Sequence, residues 1–236
     1  MSQSILPIGE MFGMQKIAFL FPEQEVFFRQ LLDCNERLKQ EVEYYKKQLM
    51  LAKKAEADIL QKNVELQQIS MLDGLTQITN RRHFDECLHC EWQRMMKIGR
   101  PLSLILCDVD YFKLYNDNYG HQMGDLCLKR VAKAISDMVE RAGDVVARYG
   151  GEEFIILLPN TCADEAMIYA EKVRMAIQQL ELPHMVSDVS QFVTLSIGVA
   201  SLVPNKNMSP ESLIAAADKA LYKAKYLGRN CVYKVC

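Results

Sequence analysis

The sequence predicts an α/β protein: an α+β sandwich with a ferredoxin-like βαββαβ core and additional elements, preceded by one long α-helix patterned as a coiled coil. Three observations predict it. After Pro22 about fifty residues run without Gly or Pro in charged, helix-favouring sequence. From residue 102 onward, short apolar runs alternate with segments of helical spacing. Two of those runs are separated by little more than Gly150-Gly151, which is a hairpin signature because glycines supply the positive φ angles of a tight primed turn.

The chain has 236 residues, enough for one good core plus an appendage. Half of its residues are hydrophobic (50%) and 25% are charged, which excludes collagenous, low-complexity and wholly disordered classes. The formal net charge of −2 leaves no global basic field, so no nucleic-acid partner is expected. The 8 cysteines are scattered and no signal-peptide pattern precedes them, so reduced thiols and a cytoplasmic location are expected. Pro7, Glu10 and Lys16 interrupt the apolar stretch 5–21, leaving no uninterrupted run long enough for a membrane span. The expected organisation is a short N-terminal segment, 1–21, with no assigned role, a coiled-coil helix, 22–72, and a globular domain, 73–236.

Taken in order, the long helix places Phe28, Leu31, Asn35, Leu38, Val42, Tyr45, Leu49 and Ala52 on one stripe at 3-4 spacing, a seam with one polar intrusion at Asn35. A four-residue shift between Ala52 and Ala55 recovers Ile59, Leu66 and Ile69, which reads as a stutter. The alternative is a lone amphipathic helix packed on its own domain; the narrowness of the stripe on so long a helix favours the coiled coil. A turn at Asp73-Gly74-Leu75-Thr76 ends it. The next helix starts at Asn80 as cap and stops near Gly99-Arg100-Pro101. A buried strand over 102–109 follows, then a helix over 122–141 with Leu128, Val131, Ile135 and Met138 on one face. The hairpin strands span 145–149 and 154–158. A helix over 164–180, a strand over 193–201, a helix over 210–227 closed by Gly228 and a last strand over 231–235 complete the chain.

Four carboxylates carry the chemistry. Asp108 and Asp110 end the first strand, and Glu152 and Glu153 follow the glycine turn. The split β-α-β arrangement brings those two places together, and clustered carboxylates repel until a divalent cation neutralises them; hard oxygen donors suit Mg²⁺. The alternative is that acidic residues at strand ends are merely solvated.

The phrase Arg148-Tyr149-Gly150-Gly151-Glu152-Glu153-Phe154 resembles the signature of the GGDEF-domain diguanylate cyclases in its GGEEF form. Upstream, Asp108-Val109-Asp110-Tyr111-Phe112-Lys113-Leu114-Tyr115-Asn116-Asp117, followed by Gly120-His121-Gln122-Met123-Gly124-Asp125, is similar to the family's nucleotide-binding stretch. Asp218-Lys219-Ala220-Leu221-Tyr222-Lys223-Ala224-Lys225 with Gly228-Arg229-Asn230 is similar to its last helix and turn, and Asp73-Gly74-Leu75-Thr76 with Asn80-Arg81-Arg82 to its opening. The similarity covers the whole globular part and implies a fold similar to nucleotidyl cyclase catalytic domains.

The resemblance implies an enzyme that binds one GTP per domain and, as a homodimer held by the N-terminal coiled coil, joins two GTP into cyclic di-GMP with release of two pyrophosphates. It implies two Mg²⁺ per active site, with Mn²⁺ as substitute, held by Asp108, the Val109 carbonyl, Glu152 and Glu153, and catalytic roles for Glu153, Glu152 and Asp108. Either glutamate completes the metal site or helps deprotonate the ribose 3′-hydroxyl. Phe112, Lys113, Asn116, Asp125, Gly150, Gly151, Lys225 and Arg229 are the implied substrate-binding residues. The glycines admit backbone close to phosphate, and the basic side chains neutralise it; Lys225 and Arg229, four apart, point to one side. Asn116 and Asp125 read the guanine edge. Family members that make the mixed guanine-adenine dinucleotide tend to lack the carboxylate at Asp125, which favours cyclic di-GMP. Arg141-Ala142-Gly143-Asp144 fits the RxxD pattern of the family's product-inhibition site, with Arg141 and Asp144 gripping cyclic di-GMP as an allosteric inhibitor.

A catalytically silent cyclic di-GMP or GTP receptor, or a scaffold acting through its coiled coil, is the alternative class; the intact glycine-acidic motif argues against it. Asp110 is read as a hydrogen-bonding residue of the loop and His121 as structural. His83, Cys87 and Cys90 offer one helical face of soft ligands, but a lone pair of cysteines at this spacing reads as packing, as do Trp92, Met95 and Met96. The stutter offers a place where helix register switches between productive and unproductive alignment of two domains. Fusing 73–236 to strict heptads in different registers is therefore expected to switch product formation on in some and off in others; equal activity in every register would contradict this.

Overall fold

A computed structural model of the chain describes residues 22–69, 71–139 and 141–235, so the expected segment 1–21 lies outside the described residues. Contacts divide the chain into two units, Met1–Leu66 and Gln67–Cys236. Helix α1 (Pro22–Ile69), most of it in the first unit, runs unbroken for 48 residues, about 72 Å at 1.5 Å per residue. Leu31, Leu38, Val42, Tyr45, Leu49 and Ile59 of the seam are 50–64% exposed, and Leu32, Leu51 and Leu60 beside them are exposed too. The side chains of Phe28, Leu66 and Ile69 lie outside the described residues. Among the described residues, no helix is long and apolar enough to cross a membrane.

The second unit contains β1 (Thr79–Asn80), α2 (Arg81–Ile98), β2 (Leu102–Val109), α3 (Phe112–Tyr119), α4 (His121–Ser136), β3 (Val145–Gly150), β4 (Glu153–Pro159), α5 (Ala163–Gln179), β5 (Leu195–Leu202), α6 (Pro210–Tyr226) and β6 (Val232–Lys234). One sheet of order β1-β3-β4-β2-β5-β6 joins all six strands. Its four middle strands are the ferredoxin-like core, with β2 antiparallel to β4 and to β5; β1 and β6 add parallel edges. The alternation of β2 divides the interior in two. Ile105, Cys107 and Val109 face one cluster with residues of α4 and α5, while Leu102, Leu104 and Leu106 face the other with α2 and α6. The central strand is thus apolar on both faces, and all eight of its residues are buried.

Local signals explain the boundaries. Asn80 caps α2 by accepting from the His83 amide, and Gly99, at φ 64°, ends it in the left-handed conformation. Three expectations need correction. The stretch after Asp110 holds a helix of its own, α3, eight residues long and cut off from α4 by Gly120 at φ 83°, too short to show a hydrophobic period. The helix expected over 122–141 ends at Ser136, and Met138 lies in the turn beyond it. In the hairpin only Gly151 has positive φ (50°), because a register shift between Arg148 and Gly150 leaves Gly151 and Glu152 as the two central residues.

At Gly198 in β5, a Cβ would lie 2.2 Å from the Ala217 carbonyl oxygen and 2.3 Å from the Leu221 nitrogen of α6. These are backbone atoms of a helix packed along the strand. Gly198→Ala is therefore expected to cost about 3 kcal/mol in urea unfolding; a loss under about 0.5 kcal/mol would mean that β5 and α6 do not pack this closely.

Candidate active site

The site forms where β2 ends. In the sheet register Asp108 lies opposite Glu153 of β4 on one side and Ser196 of β5 on the other. The hairpin turn brings Glu152 to the same corner, where its carbonyl oxygen accepts from the Val109 amide at 3.4 Å. Asp108 is only 8% exposed, and Lys225 of α6 places its ammonium 2.7 Å from Oδ2. Burial pushes the Asp108 carboxyl up to about 6; Lys225 opposes the shift, and the charges of Glu152 and Glu153 add to it. Burial also raises Glu153, with Lys225 and Arg81 lowering it and Glu152 and Asp218 raising it. The corner therefore holds more carboxylates than Lys225 and Arg81 balance.

Asp110, one alternation further on, does different work. It is 1% exposed and accepts from Thr194 Oγ1 at 2.7 Å, Ser196 Oγ at 2.6 Å and the Asn230 amide at 3.1 Å. With its lone pairs so used, it fastens the β2 end to β5 and to the turn after α6. That turn carries Arg229, whose Nη1 donates to the Tyr111 hydroxyl at 3.1 Å while its guanidinium lies 4.3 Å over the Tyr111 ring. Lys225 meets Asp108 and Arg229 meets Tyr111, so the two do not share one helical face. The helix ends at Tyr226, and Arg229 sits beyond it at φ 64°.

Helix α3 brings the remaining residues. Phe112, 7% exposed, stacks on Tyr115 with centroids 6.0 Å apart, so its ring packs the core, while Lys113 is exposed on the next position. Tyr111, the N-cap, makes no side-chain cap bond to the first-turn amides of α3. Asn116 packs its amide against Gly124 of α4, where a Cβ would fall 1.8 Å from Oδ1, and Asp125 follows exposed. The buried Asn116 Oδ1 has no hydrogen-bond partner among the described residues. Asn116 of α3 thus packs on Gly124, the residue before Asp125 in α4. Gly150 and Gly151 are exposed in the hairpin.

Arg141 and Asp144 stand at the opposite end of β3 from Gly150. The Asp144 amide donates to the Arg141 carbonyl at 3.1 Å, and Arg141 Nη1 reaches Thr161 Oγ1 at 3.5 Å. Asp144 Oδ2 is buried without a hydrogen-bond partner among the described residues, and burial raises its carboxyl, with Arg141 lowering it. On the α2 face that carries the soft ligands, His83 Nε2 is 3.7 Å from Cys87 Sγ and Cys90 is exposed, while Trp92 and Met95 are in the core.

Among the described residues, no three His, Cys, Asp or Glu side chains enclose a metal by themselves. Asp108, Glu152 and Glu153 nevertheless fit Mg²⁺. The ion takes few carboxylates and completes its shell with water and phosphate; burial raises the proton affinity of Asp108, and the charges of Glu152 and Glu153 beside it add to that.

Sequence reasoning missed Arg81, stacked 4.3 Å over the Tyr149 ring and acting on Glu153, and Tyr111, which receives Arg229. It also gave Asp218 no role, although Asp218 lies two helical turns before Lys225 and its charge reaches Glu153; that spacing was the available signal. Asp73 of the first turn accepts from the Thr76 amide and hydroxyl at 2.8 and 2.7 Å and from Arg148 Nη1 at 3.1 Å. Arg148 Nε in turn holds the Gly151 carbonyl at 2.9 Å.

Residues 70–231 match the family model described as "Diguanylate cyclase, GGDEF domain". The chain is 38% identical over 174 residues to Diguanylate cyclase A of Treponema denticola, covering 72% of this chain and 46% of that protein, so it spans less than half the length of that curated relative. Among solved structures it resembles the coiled coil and GGDEF domain of DgcB from Caulobacter crescentus in complex with c-di-GMP (TM-score 0.70, 31% identity, 79% of this chain and 97% of that one). It also resembles the active GGEEF domain of a diguanylate cyclase from Vibrio cholerae (TM-score 0.58, 35% identity, 68% and 100%).

The charge imbalance at Asp108 makes a prediction. The unfolded chain releases this proton near 3.8, whereas the fold keeps it to about 6. The group's contribution to stability is therefore full below the lower value and is lost as pH rises through the higher one. Asp108→Asn removes the ionisation, so at neutral pH in a chelator the variant is expected to be the more stable, by about 1 kcal/mol, with a flatter pH dependence between those values. A lower Tm for the variant would mean that the Lys225 ion pair outweighs the burial penalty.

Proposed function

The chain belongs to the GGDEF-domain diguanylate cyclase family, and on that premise we propose that it condenses two GTP into cyclic di-GMP and two pyrophosphates. The observation that carries the reading is the convergence of Asp108, Glu152 and Glu153 on one corner with Lys225 beside them and the Asn116–Asp125 pair on the adjoining helices. Asp108, the Val109 carbonyl, Glu152 and Glu153 would hold two Mg²⁺ per active site, with Mn²⁺ as substitute, and the ions would stabilise charge on the α-phosphate and the leaving pyrophosphate.

The chain's own residues do the rest. The carboxylate of Asp125 accepts from the guanine N1–H and N2–H₂, with Asn116 beside it. The first-turn amides of α3, together with Lys113 and Arg229, take the phosphate oxygens. A phosphate claiming Lys225 competes with Asp108 for the ammonium. Glu153, its proton affinity raised by burial and by Glu152 and Asp218, has the property needed to accept the ribose 3′ proton, and Glu152 stands next to it for the same exchange. The 3′ oxygen of each GTP then bonds to the α-phosphorus of the other, and each α-phosphorus loses its bond to pyrophosphate.

One domain holds one GTP, so the reaction needs two domains face to face. The apolar stripe of α1 supports a parallel coiled-coil homodimer in which 22–72 tether the domains 73–236 and raise their effective concentration. The protein then works in the cytoplasm as a GTP-consuming dimer. Arg141 with Asp144, remote along β3 from the hairpin, fits a site where cyclic di-GMP binds and inhibits.

Purified protein incubated with GTP and Mg²⁺ is expected to form cyclic di-GMP. Asp108→Ala and Glu153→Ala are expected to reduce the rate by at least about a hundredfold. Arg141→Ala is expected to leave the initial rate intact and straighten the progress curve. A dimer of the unmutated chain that makes no cyclic di-GMP would remove the enzyme reading, and an unchanged progress curve in Arg141→Ala would remove the inhibitory site.

A further inference from the structure

We propose that His184 is a positioning residue for the nucleotide site: with Met185 it straps both ends of α3, and so sets where Asn116, Tyr111 and, through Tyr111, Arg229 meet the substrate. The inference rests on the GTP-binding reading above. His184 is 0% exposed, and its Nε2 lies 3.2 Å from the Tyr111 carbonyl oxygen at the head of α3. The carbonyl can only accept, so Nε2 carries the proton. Nδ1 is buried with no hydrogen-bond partner among the described residues, and burial holds the ring below the usual histidine range despite the backbone acceptors beside it. The ring stands edge-on to Tyr115 in the middle of α3, centroids 5.2 Å apart. The next amide, Met185 N, donates to the Tyr119 hydroxyl at 3.0 Å, at the tail of the same helix.

The strap is itself fixed. His184 N donates to Gln191 O at 2.7 Å and Val193 N to Leu182 O at 2.8 Å, closing the segment just before β5. What it grips is strained: Tyr111 is a non-glycine residue at φ 55°, a conformation that persists only where its surroundings hold it. Tyr111 passes that hold outward, since its hydroxyl and ring carry Arg229. A short helix fastened at its head, middle and tail by two consecutive residues has little freedom to shift Asn116.

The test reads affinity, which a merely stabilising residue does not move. In the 236-residue chain, His184→Ala is expected to weaken binding of Mg²⁺·α,β-methylene GTP about tenfold and to raise KM for GTP by the same factor, with kcat per folded protein within about twofold. His184→Gln places an amide N–H near Nε2 and is expected to recover most of the affinity. Tyr119→Phe, which removes the acceptor for Met185, is expected to weaken binding about threefold and decides the matter if His184→Ala does not fold. Unchanged dissociation constants in Tyr119→Phe and in whichever His184 variants fold, with only Tm lowered, would overturn the proposal, as would a glutamine variant no better than alanine. Because the readout is binding, it remains valid where the unmutated chain forms no cyclic di-GMP, the outcome that instead overturns the enzyme reading.

Discussion

Asp110 is a carboxylate shut away from water at the end of the central strand, and the geometry of the site depends on how its charge is met. A buried carboxylate without donors is untenable. Its donors come from residues 84, 86 and 120 positions away in sequence, two around the start of β5 and one in the turn after α6. Satisfying it therefore draws the β2 end, β5 and the α6 turn to one point. Arg174 adds a brace from α5, donating to the Asn230 side chain at 2.7 Å. With this corner held, Asp108 two residues earlier has a fixed direction, and so does Arg229 next to Asn230.

Beside this carboxylate is one met by a single lysine and crowded by other carboxylates. Asp108 and Asp110 differ by one alternation of the strand. Asp110 receives three hydrogen bonds, whereas Asp108 has one lysine and two further glutamates near it. The fold tolerates that imbalance because β2 is anchored on both sides by strand pairing along its length. The function proposed above, in which the corner takes up divalent cations and a triphosphate, would benefit from such an excess of carboxylates, at a cost in stability. The same logic applies to Tyr111, whose strained backbone is held by a buried imidazole and whose side chain presents a guanidinium.

The globular fold was legible wherever a local physical rule acts alone. The run Leu102–Val109 is a strand with the boundaries its apolar sequence implies, because a central strand covered on both faces needs an uninterrupted apolar run. Asn80 and Gly99 mark the ends of α2 because capping involves only neighbouring residues. Helix α3 escaped because eight residues hold too few turns to show a period, and β1 because two residues pair only by virtue of β3. The hairpin glycines were recognised, but a register shift at Arg148 moved the turn along the chain by one residue.

Residue identity alone determined the chemical inventory: carboxylates after an apolar strand, a glycine turn followed by two glutamates, basic residues at the end of the last helix, and an apolar stripe along the first. These follow from short-range rules of spacing and from motifs written in consecutive residues. Tertiary structure decided which of them meet. That Lys225 lies on Asp108, that Arg229 reaches Tyr111 from beyond the helix, and that His184 grips α3 all depend on the strand order β4-β2-β5 and on turns whose ends are distant in sequence. Burial decided the rest, because the proton affinity of Asp108 and the orphaned nitrogen of His184 are set by neighbours that only the folded chain supplies.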